Sequence, residues 1–382
     1  MRLPLGFRAA GVRAGIKPSG KPDLGLVVSD GPLAWALTST ENLVKAPCVT
    51  RNRARSASQQ PVRALVVNAG NANCANGDEG VWDNEDLAAV TAGALSLPRV
   101  QDVLTASTGV IGRPMPMARV REGVPRAVAA LDEELGAFAE AILTTDLVTK
   151  TAEARLSSGA RVVGVAKGSG MIHPNLATML AFLFTDAIVD QAALRTAWAD
   201  VVRRTFNQVT VDGDTSTNDM AIVLASGRLH ADPSELIGAL ERVAGELARA
   251  VARDGEGATT LITVEVQRGR NEGEAMAAAR EVAGSSLVKS AVHGRDPNWG
   301  RVLSAVGQSG AVADLGAVAV RLQGVVVYEG RPVDFDADRL SQAMDASDVH
   351  IEVDLAAGEA EGRAWGCDLT AEYVKINALY TT

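Results

Sequence analysis

The sequence predicts an α/β fold with a smaller α+β unit at its C-terminal end. Over most of the chain, short β-branched runs alternate with Ala-rich segments of helical spacing, which is the pattern of a layered α/β structure. The chain has 382 residues, which is too many for one ordinary core because domains usually contain about 100–200. Two domains, or one large layered unit with an appendage, are therefore expected.

The predicted strands are apolar runs bounded by Gly or Asn, and the predicted helices carry an apolar stripe. Strands are predicted at 64–68, 161–166, 220–225 and 260–266, and helices at 84–95, 191–206 and 233–253. The last helix has the clearest beginning, because Asp232 is a suitable N-cap and Pro233 takes the first helical position.

The last hundred residues differ in character, since short strands dominate there. They predict a hairpin at 318–328 that turns at Gln323-Gly324, a helix at 336–344, and strands at 350–355 and 364–369. A boundary is expected near 270–285, with the charged stretch 267–281 as the junction. The predicted domains are a core of residues 1–275 and a smaller unit of residues 276–382.

Charge and composition exclude several functional classes. With 37 Lys+Arg against 46 Asp+Glu the net charge is −9, which argues against a nucleic-acid partner and requires a local cation for any anionic substrate. No apolar run approaches the roughly 18 residues of a membrane span, and the N-terminus has no secretory signal. The three cysteines form no Cys-x-x-Cys pair. A soluble, cytoplasmic protein with no membrane partner is expected.

The sequence lacks the local features that three common types of site require. The four histidines are scattered, with no pair at helical spacing beside a carboxylate, so no metal site is predicted. The glycines of 164–170 follow a strand, but no Gly-Lys-Ser/Thr follows them as in a phosphate-binding loop. The same glycines lack the Gly-x-Ser-x-Gly spacing of a serine hydrolase.

One segment, Ala166-Lys-Gly-Ser-Gly-Met-Ile-His-Pro-Asn-Leu-Ala-Thr-Met-Leu180, stands out because a Gly-rich turn with one lysine runs into an apolar strand. Spacing alone favours a structural interpretation, in which the Thr178 hydroxyl of a half-buried loop bonds the backbone. A hydroxyl with no neighbouring histidine is not by itself a nucleophile.

Further blocks accompany this segment in a fixed order along the chain. They are Gly6–Lys17, Asn68–Asn73, Ser107–Met117, Asp212–Asp219, Asp254–Gly257, Asp296–Arg301 and Tyr373–Thr382. Together they resemble the ornithine acetyltransferase (glutamate N-acetyltransferase) family of arginine biosynthesis, and the segment at 166–180 resembles its autocleavage motif. Two short departures, at 74–77 and 377–380, do not touch that motif.

The resemblance implies a self-cleaving αββα sandwich with an N-terminal threonine nucleophile. The cut would fall between Ala177 and Thr178, leaving an α chain of 1–177 and a β chain of 178–382 that assemble as an α2β2 heterotetramer. Thr178 would be nucleophile and, through its freed amine, base, and Thr108 with Gly109 would form the oxyanion hole. The implied substrate-binding residues are Thr144, Thr145, Lys167, Thr178, Glu256, Asn377 and Thr382.

The implied reaction is a ping-pong transfer of the acetyl group from N-acetylornithine to glutamate, with ornithine as the first product. No metal or bound cofactor is expected, and acetyl-CoA is left open as a second acetyl donor. Alternative functions are an aminopeptidase or amidohydrolase of the same fold, an acetyltransferase of secondary metabolism, and a non-catalytic binding protein that keeps the fold.

Overall fold

The structure, a computed structural model, describes residues 1–58, 60–173, 179–311 and 314–379. Its strands are Phe7–Val12 (β1), Leu24–Ser39 (β2), Val62–Asn71 (β3), Val103–Val110 (β4), Lys150–Arg155 (β5), Arg161–Lys167 (β6), Leu180–Ala187 (β7), Met220–Leu229 (β8), Leu261–Gly269 (β9), Ala319–Leu322 (β10), Val325–Glu329 (β11), Asp348–Asp354 (β12) and Ala360–Cys367 (β13). Its α-helices are Pro47–Ser58 (α1), Gly77–Ala94 (α2), Met117–Ala129 (α3), Gly136–Ala141 (α4), Gln191–Arg204 (α5), Pro233–Arg253 (α6), Glu272–Gly284 (α7), Ser286–His293 (α8), Trp299–Gln308 (α9), Ala337–Ala343 (α10) and Ala371–Leu379 (α11).

The long strand β2 joins two sheet leaves. Its first half pairs with β1 and β3, its second half pairs with β8, and its register to β3 shifts between Val28 and Leu33. One leaf continues to β4, and the other runs from β8 through β7 and β6 to β5. A strand that changes register partway lets one chain segment serve both leaves.

The alternation of side chains shows that the two leaves face each other. Leu65 and Val67 of β3 share a core with Phe182 and Phe184 of β7. The intervening residues point outward: Val66 packs in a cluster with residues of α2 and α3, and Leu183 packs with residues of α5 and α6. Because successive strand residues face opposite sides, the layers are helix, sheet, sheet, helix. The predicted αββα sandwich is confirmed.

The smaller sheet has the strand order β11-β10-β12-β9-β13. One of its faces is covered by residues of α7, α8 and α9. The predicted hairpin turn is confirmed: Gln323 and Gly324 both have positive φ, at 48° and 77°, as a tight two-residue turn requires. The N-cap at Asp232 is also confirmed, because its carboxylate accepts the N–H groups of Ser234 and Glu235.

Strand β9 begins at residue 261, within the predicted 1–275 core, but it pairs with β12 and β13 and so belongs to the smaller sheet. The division into domains at residue 275 stays a prediction. The charged stretch 267–281, predicted to be the junction, contains the end of β9 and most of α7. Apolar residues at helical spacing in α7, Ala275, Ala279 and Val282, are fully buried, and this burial outweighs the cost of the neighbouring charges. None of the described helices has the length and apolarity to cross a membrane.

The contact between β6 and α6 depends on Gly164. A Cβ at this position would lie 2.7 Å from the side chains of both Val243 and Leu247. Gly164→Ala is expected to lower the free energy of unfolding by about 1–3 kcal/mol, since extra volume in a packed core forces its neighbours to move.

The matched control is Gly238→Ala on the exposed face of α6, where a Cβ would meet nothing within 4 Å. This change is expected to raise stability by about 0.5–1 kcal/mol through helix propensity. Chemical denaturation of both variants checks the pair, and equal effects would contradict the described packing.

Candidate active site

A cavity of about 920 Å³ gathers every sequence-predicted site residue that the structure describes. These residues come from distant parts of the chain: Thr108, Gly109, Thr144, Thr145, Lys167, Glu256 and Asn377. Ala177, Thr178 and Thr382, the other predicted site residues, lie outside the described residues.

The predicted oxyanion pair lies at the end of β4. Gly109 has a φ of 129°, and a Cβ on it would lie 2.4 Å from the carbonyl carbon of Gly70 on the neighbouring strand. Only glycine fits this close approach. The Lys167 ammonium lies 3.3 Å from Thr108 Oγ1. Because an ammonium only donates hydrogen bonds, Thr108 accepts this one and its own hydroxyl hydrogen stays available to an oxyanion.

Lys167 lies beside a buried network of charged side chains. Asp146 Oδ1 accepts a 2.6 Å hydrogen bond from Lys150 Nζ, which also donates to Asp254 Oδ2 at 2.5 Å. Asp146 Oδ2 lies 4.0 Å from Lys167 Nζ. Burial opposes ionisation of Asp146, but the two lysines prevail and lower the pKa of its carboxyl to about 2. Asp146 is therefore an anion at neutral pH.

Asp146 also orders the backbone around the cavity. Its carboxylate accepts the N–H of Thr144 at 3.0 Å and the N–H of Gly168 at 2.7 Å, which ties the 144–146 loop to the end of β6. Burial lowers the pKa of Lys167, and the Asp146 charge opposes that shift. Sequence reasoning did not assign Asp146, Lys150 or Asp254 to the site. A sequence feature that could have indicated Asp146 is its position directly after the predicted site residue Thr145.

The acidic part of the cavity is formed by Glu256 and the C-terminal helix. Asn377 on α11 donates a 2.9 Å hydrogen bond to Glu256 Oε2. A Cβ on Gly170 would lie 2.4 Å from this same oxygen, so glycine leaves the space that the carboxylate fills. Glu256 is 9% exposed, which makes it a recessed acceptor for a cation and not the solvated loop carboxylate that its position in the sequence also allows.

The block at 212–219 holds the strands around the cavity in place. Asn218 donates to the carbonyls of Ala72 and Ser107, at 2.7 and 2.9 Å. Asp219 Oδ1 accepts the N–H of Met179 at 2.9 Å. Burial raises the pKa of the Asp219 carboxyl well above its usual value. Among the described residues, no group of His, Cys, Asp or Glu side chains could hold a metal ion.

The buried network gives a stability prediction. Lys150→Met removes the cation shared by Asp146 and Asp254 while both carboxylates stay buried, so unfolding is expected to become about 3–5 kcal/mol more favourable. Lys375→Met is the control, because its pair with Glu372 is exposed and a surface pair is worth at most about 1 kcal/mol. Urea unfolding measures both, and a loss at Lys150 no larger than at Lys375 would refute the role of the network.

Similar proteins cover the whole length of this chain. A family model described as the ArgJ family matches residues 8–382. The arginine biosynthesis bifunctional protein ArgJ of Thermus thermophilus is 56% identical, with all of both chains covered. The protein of the same name from Deinococcus radiodurans is 56% identical over all of this chain and 98% of its own.

A solved structure of ArgJ from Bacillus halodurans is 41% identical, with a TM-score of 0.51, over 52% of this chain and 98% of that chain. The match of the family model and the full-length relatives show the family that the motifs predicted: this chain belongs to the ArgJ family.

Proposed function

We propose that this protein transfers the acetyl group of N-acetylornithine to glutamate through an acyl-enzyme on Thr178. One observation carries the proposal: a single cavity unites the Thr108-Gly109 pair, the Lys167 ammonium and the Glu256 carboxylate. These are the groups needed to stabilise an oxyanion and to bind an amino acid with a cationic side chain. The family and its full-length relatives, named for bifunctional arginine biosynthesis, support the same activity.

The nucleophile is created by a cut between Ala177 and Thr178. The Thr178 hydroxyl attacks the Ala177 carbonyl carbon, and the peptide C–N bond breaks, which frees the Thr178 α-amine and leaves an ester on its side-chain oxygen. Water then hydrolyses this ester, which releases the hydroxyl of Thr178 and a carboxylate on Ala177. This amine has a reference pKa of about 7.7–8.0, so a useful fraction is neutral near pH 7 and accepts the hydroxyl proton. One residue thereby supplies both nucleophile and base, and no histidine is needed.

The described fold is suited to such a cut. β6 belongs to the α chain and β7 to the β chain, and the two strands are hydrogen-bonded neighbours from Val162–Thr185 to Lys167–Leu180. The two chains would therefore stay together through one sheet. The Bacillus halodurans chain, 98% of which matches only 52% of this one, has the length of one half. Assembly as an α2β2 heterotetramer is part of the proposal.

In the first half-reaction Thr178 attacks the acetyl carbonyl carbon, and negative charge develops on its oxygen. The Thr108 hydroxyl and the Gly109 N–H donate to this oxyanion, and loss of one such donor typically costs about 3–4 kcal/mol of transition-state stabilisation. The C–N bond then breaks, and ornithine leaves with the proton taken from Thr178. In the second half-reaction the glutamate amine attacks the ester and restores Thr178.

Charge assigns the substrate contacts. Ornithine and glutamate share an α-carboxylate, which Lys167 pairs with in an otherwise acidic protein. Glu256, held by Asn377, receives the δ-ammonium of ornithine. Thr144 and Thr145 line the same cavity and complete the substrate contacts. No metal or bound cofactor takes part, and acetyl-CoA is a second acetyl donor to be tested in the same assay.

Processing and transfer can be tested together with Thr178→Ala. The wild type is expected to give two bands near 18 and 21 kDa, in proportion to 39.7 kDa for 382 residues, and the variant one uncut band. The variant should show no acetyl transfer, because hydroxyl and freed amine are both lost. Wild-type chains that stay uncut would refute the mechanism, and hydrolysis without transfer would favour an amidohydrolase.

The C-terminal tail gives a second test. Deletion of residues 380–382 is expected to impair transfer, because it shortens the segment that follows the Asn377 contact with Glu256 and removes the predicted substrate residue Thr382. Thermal stability should hardly change, since α11 contains no buried residue. Unchanged kcat/KM for both substrates would count against the role of the tail.

A further inference from the structure

A second lysine, Lys17, lines the cavity on a loop that is held by a buried carboxylate. The fully buried carboxylate of Asp23 accepts the N–H of Ala14 at 2.5 Å, of Gly15 at 3.0 Å and of Lys17 at 2.8 Å. Three backbone donors on one buried anion give this loop a single conformation. Lys17, the last residue of the first motif block, therefore has a fixed position in the cavity wall.

The Lys17 side chain has room for one more acceptor. Its stem packs on Gly70, where a Cβ would lie 2.9 Å from Lys17 Cγ, and Gly70 pairs with Gly109 of the oxyanion pair. Its Nζ donates to the carbonyls of Pro22 at 2.5 Å and Ala141 at 3.2 Å. Within the described ranges no carboxylate lies in ion-pair distance, so one N–H hydrogen remains for a ligand. Burial lowers the pKa of Lys17 to about 8, which leaves it largely protonated at neutral pH.

Cations outnumber anions in the lining of the cavity. Its charged residues are Lys17, Lys21, Arg113, Arg119 and Lys167 on the positive side and Glu140, Asp146 and Glu256 on the negative side. Of these anions, Asp146 is already paired with Lys150, and Glu256 lies beside α11. In a chain of net charge −9, such an excess of cations favours an anionic group on the ligand.

In the proposed reaction, the same cavity binds two substrates whose side chains carry opposite charges. Ornithine carries a side-chain ammonium, which suits Glu256, whereas glutamate carries a side-chain carboxylate, which Glu256 would repel. We propose that Lys17 binds the side-chain carboxylate of the acceptor amino acid, so that the cavity has a separate side-chain subsite for each half-reaction. This inference rests on the proposed function, and it assigns acceptor specificity to a residue outside the groups that perform the chemistry.

The test separates the two half-reactions. Exchange of labelled ornithine into N-acetylornithine needs acylation and its reversal but no glutamate, whereas net transfer needs the glutamate subsite. Lys17→Met is expected to lower kcat/KM for glutamate by about 10- to 100-fold, chiefly through KM, because a charge-assisted hydrogen bond is lost. Exchange should stay within about twofold of the wild type. The preference for glutamate over glutamine should shrink by a similar factor.

Arg13→Met is the control, since it removes one positive charge from an exposed residue of the same loop that is not among the residues described as lining the cavity. It is expected to change glutamate transfer by less than about twofold, which measures steering by net charge alone. Lys17→Arg keeps the charge and should restore part of the glutamate preference. Lys17→Gln, which can still donate to a carbonyl, replaces the Met variant if that one does not fold.

The outcomes are distinct. Loss of glutamate transfer with exchange retained supports the subsite. Equal loss of both reactions overturns it, because Lys17 would then serve a group shared by both substrates, and no loss in either reaction overturns it as well. Absence of exchange in the wild type would instead contradict the proposed function.

Discussion

The site depends on one buried carboxylate. The Asp146 carboxylate is buried; it accepts hydrogen bonds from Lys150 and from two backbone N–H groups, and the Lys167 ammonium lies nearby. A buried charge is costly unless it is paired and fully hydrogen-bonded, so this carboxylate is stable only in one arrangement of its neighbours. That arrangement places Lys167 at the end of β6 beside Thr108 at the end of β4. The positions of Thr108 and of the Lys167 ammonium therefore have a common electrostatic origin.

The double-leaf sandwich brings these strand ends together. β4 lies at one edge of the sheet order and β6 lies near the other, yet the bend of β2 folds one leaf over the other. The apolar residues between the leaves, among them Phe138, Phe182 and Trp35, close this core. The cavity lies at the ends of strands from both leaves, and α11 contributes Asn377 to its lining. Neither leaf alone contains a complete set of groups for the chemistry.

In the proposed reaction, two consecutive substrates carry side chains of opposite charge, and a single uniform pocket does not suit both. The cavity contains a recessed anion at Glu256, a fixed cation at Lys17, and the Lys167 ammonium, to which the proposal assigns the α-carboxylate common to both substrates. Preorganisation matters here because charged groups held by the backbone and by buried partners need little rearrangement when the ligand changes. The Asp23 and Asp146 carboxylates have the same function at the two places: each orders a loop that presents a lysine.

The sequence by itself determined the class of fold, most of the described strands, four of the eleven described α-helices, and the family. The N-cap of α6 at Asp232 and the turn at Gln323-Gly324 follow from local chemistry, so they could be predicted from a few adjacent residues. The motif blocks also indicated Thr108, Lys167 and Glu256. The tertiary structure alone decided that 267–281 contains a packed helix, because burial of Ala279 and Val282 depends on a sheet formed by distant strands. It also decided that Lys150 pairs with both Asp146 and Asp254 and that Lys17 faces the cavity. Lys150 and Asp254 are 104 positions apart and Lys17 and Ala141 are 124 apart, and no local pattern in a sequence records which charges will share a buried site.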